Sequence, residues 1–290
     1  MGKRKIAFIG TGVMGSSIVK HLLKADYEVT VFTRTKEKAE ALVGLGASWA
    51  ETAGKATANA DIVLTMVGYP SDVEEVYYSE NGILQNAREG MIFIDMTTSS
   101  PALAKRIAAD AEQKGITSID APVSGGDIGA QNGTLSIMCG GDERTFDEVL
   151  PLLQVFGKQI VYQGKAGAGQ HTKMCNQIAI ATNMIGVCEA LVYGKEAGLD
   201  AETVLQSISS GAAGSWSLSN LAPRMIKGDF EPGFYVKHFL KDMNIALAEA
   251  EQMKLPLPGL QLAKEMYNEL VEEGYGEKGT QVLYKQYRTE

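Results

Sequence analysis

The stretch Ile6-Ala7-Phe8-Ile9-Gly10-Thr11-Gly12-Val13-Met14-Gly15 decides the fold. Its first four residues are an unbroken apolar run, as in a strand covered on both faces. The next six form a G-x-G-x-x-G, and residues 16–25 follow with a helical pattern. In a chain with 32 glycines the motif alone carries little weight. Between a strand and a helix it has a physical purpose. The first glycine permits the tight turn, the second lets the backbone approach a pyrophosphate, and the third lets helix and strand pack closely. The N–H groups and positive dipole end of the helix then face the phosphates. Gly10, Thr11, Gly12, Val13, Met14 and Gly15 are therefore predicted to bind a dinucleotide.

Outward from this loop, strand and helix patterns alternate. Residues 27–32, 61–67, 91–94, 117–119, 135–139 and 159–162 read as strands, and residues 36–43 as a helix. Such alternation predicts an α/β fold with a doubly wound, mostly parallel sheet. The character changes near Gly164. A glycine-rich crossing precedes a long run of helix formers from Lys173 to Ala197, and strand signals nearly vanish after it. The expected division is 1–164 for nucleotide binding and 165–290 for an all-helical part.

The end of the second strand bears on the choice of cofactor. A site for NAD usually places a carboxylate there, on the ribose 2′-hydroxyl. Phe32-Thr33-Arg34-Thr35-Lys36 has none. Arg34 can clasp a 2′-phosphate, with hydroxyls from Thr33 and Thr35, so NADP is expected to be preferred and NAD remains possible. The alternative is that Arg34 stacks on the adenine, which favours neither. Ligands sit at the carboxyl ends of strands in such sheets, which makes Met66, Val67 and Thr98 candidate cofactor contacts.

Two further segments suggest chemistry. Asp120-Ala121-Pro122-Val123-Ser124-Gly125-Gly126 follows a strand. Its glycine N–H groups and the Ser124 hydroxyl can hold a carboxylate, or it is simply a tight turn. In Gly167-Ala168-Gly169-Gln170-His171-Thr172-Lys173-Met174-Cys175-Asn176-Gln177, Lys173 lies near the start of the long helix, with Asn176 and Gln177 on the same face. A cation near the positive end of a helix is poorly placed for stability. It is either functional or a solvated surface residue.

Together with Lys241-Asp242, these motifs resemble, in order and over essentially the whole chain, the β-hydroxyacid dehydrogenase family. That family includes 3-hydroxyisobutyrate dehydrogenases, tartronate semialdehyde reductases and glyoxylate or succinic semialdehyde reductases. The resemblance implies a Rossmann-type sheet followed by an all-α domain like that of 6-phosphogluconate dehydrogenase. It implies hydride transfer between a nicotinamide and a small hydroxyacid or its semialdehyde, with Lys173 as general acid and base; the alternatives are an imine reductase-like enzyme or a catalytically inactive nucleotide-binding module. Ser124, Gly125 and Gly126 would bind the substrate carboxylate, and Asn176 or Gln177 would orient the substrate. Many members carry Asn four residues after the lysine, where this chain has Gln177. Phe234 and Lys241 would close over substrate and cofactor, and Asp242 would organise that closure. The resemblance also implies a homo-dimer or homo-tetramer.

Composition narrows the alternatives. The net charge of −8 argues against a nucleic-acid partner. No stretch is expected to supply the ~18 apolar residues that a membrane span needs, and the basic start Met1-Gly2-Lys3-Arg4-Lys5 lacks a signal-peptide core. A cytoplasmic protein is expected. Cys139, Cys175 and Cys188 are too scattered for a disulfide framework and read as buried thiols. No metal-ligand cluster is legible. Residues 210–217 form a loop in which Trp216 either shapes a pocket or fills the core.

Overall fold

The computed structural model describes residues 4–287, so Met1, Gly2 and Lys3 of the basic start lie outside the described residues. The chain divides into two compact units, the first ending at Lys173 and the second beginning at Met174.

The first unit is built on one sheet. Its strands are β1 (Ile6–Ile9), β2 (Val29–Phe32), β3 (Ser48–Trp49), β4 (Ile62–Thr65), β5 (Ile92–Asp95), β6 (Thr117–Asp120), β7 (Val123–Ser124), β8 (Leu135–Gly141) and β9 (Gly157–Gly164). The order β3-β2-β1-β4-β5-β6 is parallel throughout, which makes this the doubly wound, mostly parallel sheet that the sequence predicts. β8 runs antiparallel to β6 and β7 and parallel to β9, so the far edge of the sheet is mixed. The two-residue strands β3 and β7 carry too little pattern to be read from sequence.

The helices of this unit are α1 (Val13–Lys24), α2 (Glu40–Val43), α3 (Ala53–Thr57), α4 (Pro70–Tyr78), α5 (Ile83–Asn86), α6 (Pro101–Glu112), α7 (Gly126–Asn132) and α8 (Glu143–Leu153). Alternation along the strands divides the core. Ile6, Phe8, Val31, Leu64 and Ile94 face one side with Ile18 and Leu22 of α1. Ala7, Ile9, Val63 and Phe93 face the other with Tyr77 of α4 and Ile107 of α6. Each such large side chain contributes roughly 1.5–3 kcal/mol by leaving water, which is why the strands read as continuous apolar runs.

Helix α9 (Ala168–Glu196) starts in the first unit and continues into the second. The second unit adds α10 (Ala201–Ile208), α11 (Trp216–Asn220), α12 (Ala222–Ile226), α13 (Val236–Gln252) and α14 (Pro258–Glu272), then short 3₁₀ turns. Side chains of Asp200 and Ser215 cap α10 and α11, and prolines open α12 and α14. Its core gathers Met184 and Cys188 of α9, Phe239 and Met243 of α13, and Tyr267 of α14.

Three expectations are corrected. Helix α9 is long and apolar enough, by length and composition, to cross a membrane. Neutral residues such as Thr182 and Asn183 break up its apolar residues without adding charge, so its mean hydropathy stays high. Its Ala181, Met184, Ile185 and Leu191 pack into the second unit's core. Trp216 does not fill the core, because it opens α11 with 63% exposure. Cys139 and Cys188 are buried, but Cys175 is exposed because it falls on the outer face of α9.

Gly10 combines φ +102° with a position where a Cβ would lie 2.2 Å from the Met66 carbonyl oxygen. Gly10→Ala should therefore destabilise the protein by more than about 2 kcal/mol. At Gly12 a Cβ would meet nothing within 4 Å, so Gly12→Ala should cost no more than about 1 kcal/mol. Urea unfolding midpoints of the two variants check this contrast.

Candidate active site

Backbone bonds fix the loop after β1. Gly10 N–H donates to Phe32 O at 2.8 Å, and Met66 N–H donates to Ile9 O at 2.8 Å. A Cβ at Gly15 would lie 2.1 Å from the Gly10 carbonyl oxygen, so this glycine is what lets α1 pack on its own loop. Gly12 caps α1 and faces open space. Beside it the Thr11 hydroxyl is buried and has no hydrogen-bond partner. An open corner at a helix N-terminus, with an unused buried hydroxyl, fits a bound phosphate group. Met14 is half-buried and Val13 exposed.

The neighbours of this loop come from the strands on either side of β1. Thr33, Arg34 and Thr35 follow β2, and Met66 and Val67 follow β4. Thr33 is half-buried, whereas Arg34 and Thr35 are exposed. Arg34 Nη1 donates to Asp72 Oδ1 at 3.1 Å, from the first turn of α4. Val67 N–H donates to Thr97 Oγ1 at 3.0 Å, which ties the loops after β4 and β5 together just before Thr98.

A second group of residues fixes the start of α9. Asp120, at the end of β6, accepts N–H bonds from Gly167 at 2.7 Å and Gln170 at 2.8 Å. The Gln170 side chain donates to Thr97 O at 2.7 Å and accepts from Ser99 N–H at 2.9 Å. The first turn of α9 is thereby fastened to the ends of β5 and β6. Lys173 follows three residues after Gln170 and is 6% exposed, so it is not a solvated surface lysine. Ser124 ends β7, and Gly125 and Gly126, at φ +126° and +62°, turn the chain into α7. Both conformations favour glycine.

In the second unit, Gln177 is fully buried. Its Nε2 donates to Asp242 Oδ2, and its Oε1 accepts from Asn176 Nδ2 at 2.7 Å. The carboxylate only accepts, which fixes the orientation of the Gln177 amide and leaves Asn176 presenting its carbonyl oxygen. The Lys241 ammonium lies 2.9 Å from Asp242 Oδ1. Phe234 packs against Phe239 with ring centroids 5.5 Å apart.

Asp72, Asp95, Asp120 and Gln170 are the polar residues that the sequence reading did not single out. Asp120 and Gln170 lie inside motifs that it quoted, and only their hydrogen bonds reveal their work. Asp95 Oδ1 accepts from Thr65 Oγ1 and Thr97 N–H, each at 3.0 Å, while Oδ2 is buried without a partner. Asp95 and Asp120 stand opposite one another on adjacent strands.

Both halves of the chain match known protein families. Residues 5–164 match the NAD binding domain of 6-phosphogluconate dehydrogenase. Residues 167–287 match the domain described as NAD-binding of NADP-dependent 3-hydroxyisobutyrate dehydrogenase. An uncharacterized oxidoreductase of Bacillus subtilis is 59% identical, covering 98% of both chains. The 2-hydroxy-3-oxopropionate reductase of Escherichia coli is 41% identical, covering 91% of this chain and 90% of its own. A structure of Mycobacterium tuberculosis 3-hydroxyisobutyrate dehydrogenase with L-serine superposes with a TM-score of 0.91 at 30% identity, covering 99% of this chain and all of the other.

Burial raises the carboxyls of Asp95 and Asp120 from 3.8 to about 6. In the unfolded chain both ionise near the ordinary value. Their contribution to stability is therefore complete below pH ~4 and is lost as pH rises through about 6. Urea midpoints should fall between pH 4.5 and 7, and Asp95→Asn should flatten that fall. An equal slope in the variant would contradict the assignment.

Proposed function

The chain belongs to the β-hydroxyacid dehydrogenase family of nicotinamide-dependent oxidoreductases, and within it we propose that Lys173 is the general acid and base for a small β-hydroxyacid or its semialdehyde. The observation that carries this reading is a lysine 6% exposed on a helix start that Asp120 and Gln170 hold in place. Burying an ammonium is costly, and a functional need is the usual reason to retain one.

The nicotinamide, when bound, supplies the hydride or accepts it. Gly10 to Gly15 would hold its phosphates, with Met66, Val67, Thr98 and Lys241 as further contacts. Ser124 and the N–H groups of Gly125 and Gly126 would take the substrate carboxylate. In reduction, a hydride adds to the carbonyl carbon and the π pair moves onto oxygen. The Lys173 ammonium stabilises that oxygen and gives it a proton. In oxidation, neutral Lys173 takes the hydroxyl proton as the C–H pair departs. Asn176 or Gln177 orients the substrate. Asp242 fixes the Gln177 amide and draws in Lys241, and Phe234 would help enclose the site. Glyoxylate and the semialdehydes of succinate, tartronate and methylmalonate share the carboxylate and carbonyl that this arrangement reads.

Arg34, with Thr33 and Thr35, supports a preference for NADP. Three free cysteines support a reducing, cytoplasmic setting. Exposed apolar side chains of the second unit, including Tyr193, Leu199 and Leu262, support a homo-oligomer. Light scattering at micromolar concentration should give at least a dimer mass, and a monomer mass would refute that part.

The central test follows absorbance at 340 nm with the four aldehydes above. One should turn over, with kcat/KM higher for NADPH than for NADH, and Lys173→Ala should lower kcat by about 10²–10⁴-fold. Unchanged turnover in the variant would remove Lys173 from the chemistry, and equal efficiency with both cofactors would remove the preference.

A further inference from the structure

We infer that Asp72 is a specificity-determining residue that limits the preference for NADP over NAD. The inference rests on Arg34 as the reader of the 2′-phosphate. Arg34 follows β2 and Asp72 opens α4 after β4, while β1 lies between those strands. Their ion pair of 3.1 Å therefore joins the two sides of the nucleotide loop. The carboxylate that β2 lacks is supplied from the opposite side.

The two partners differ in freedom. The Arg34 side chain is 72% exposed, whereas that of Asp72 is only 15% exposed. Asp72 Oδ2 also accepts the Tyr69 N–H at 3.0 Å, which caps the start of α4. Asp72 is thus a negative charge held by the helix cap, and Arg34 a positive one reaching into solvent. An exposed pair is weak, so Arg34 can exchange Asp72 for a phosphate at little cost. The fixed carboxylate remains beside the incoming dianion and repels it. Lys36, the next cation along the chain, lies over the Trp49 ring at 4.7 Å and is directed toward β3. Locally, then, Asp72 cancels the single charge that Arg34 brings, while a neutral ribose hydroxyl meets no such repulsion.

Asp72→Asn removes the charge and keeps an oxygen for the Tyr69 N–H, so the helix cap survives. Calorimetric titration with NADPH, NADH, 2′,5′-ADP and 5′-AMP needs no substrate and does not involve Lys173. Removing one negative charge about 8 Å from a dianion in a water-like dielectric shifts affinity about fivefold. The variant should bind NADPH and 2′,5′-ADP about fivefold more tightly, with NADH and 5′-AMP within about twofold of wild type. The gain should shrink at about 1 M salt, where screening reaches a few ångströms. A ratio of NADPH to NADH affinity that stays constant would overturn the inference. So would a falling ratio, which would make Asp72 an orienter of Arg34. Arg34→Ala separates the premise from the inference. If it weakens NADPH binding more than about tenfold while Asp72→Asn does nothing, only the role of Asp72 falls. If it leaves NADPH binding intact, both fall.

Discussion

Asp120 is the carboxylate on which the geometry of this protein turns. It is buried at the end of β6, where an isolated charge would be strongly disfavoured. The N–H of Gly167, just before α9, the N–H of Gln170 in its first turn, and the positive end of that helix compensate it. The same bonds that satisfy the carboxylate fix where α9 begins. Backbone contact around it is so close that side chains are excluded. A Cβ at Gly169 would lie 2.3 Å from Met138 O, and one at Gly140 would lie 2.6 Å from Gly169 N. Gln170 adds a second fastening to the end of β5. Lys173 inherits its place from this joint, because a helix start with no such anchor would leave a long cation free to reach solvent.

The C-terminal edge of the sheet concentrates uncompensated polarity. Thr11 and Ser99 hydroxyls and one oxygen of Asp95 are buried there without partners. Asp95 and Asp120 sit side by side, and burial dominates the titration of both. Such groups lower stability, and their gathering at one edge is what a binding edge looks like before its ligand is counted. The rest of this unit shows the opposite pattern, with alternate strand residues packed on both faces and little polar burial away from that edge. Stability is concentrated in the strands and helices, and tolerance for cost in the loops between them.

The second unit follows the same economy on a helical frame. Gln177 and Asp242 are both buried and satisfy one another, and Asn176 and Lys241 complete the chain of contacts. The network defines the amide of Gln177, so that side chain is held in one orientation. Of the two amides, Asn176 is the one whose oxygen is not committed within this network.

The sequence alone determined the doubly wound sheet, the nucleotide loop and the helical second half. Each is set by a local, periodic signal. Apolar runs mark covered strands, glycines at fixed spacing mark the loop at Gly10–Gly15, and an unbroken stretch of helix formers marks α9. It also named the motifs around Ser124 and Lys173, because their residue types sit close together in the chain. What it left open depended on partners far away in sequence. Whether Lys173 is buried, whether Trp216 fills the core, and whether Cys175 is covered depend on which face of a helix meets a neighbour. Asp72 and Arg34 are 38 residues apart, and Asp120 and Gln170 are 50 apart. Only the folded chain brings such pairs within hydrogen-bond reach, because a polar residue's partner is chosen by the packing of strands and helices and not by its neighbours in sequence.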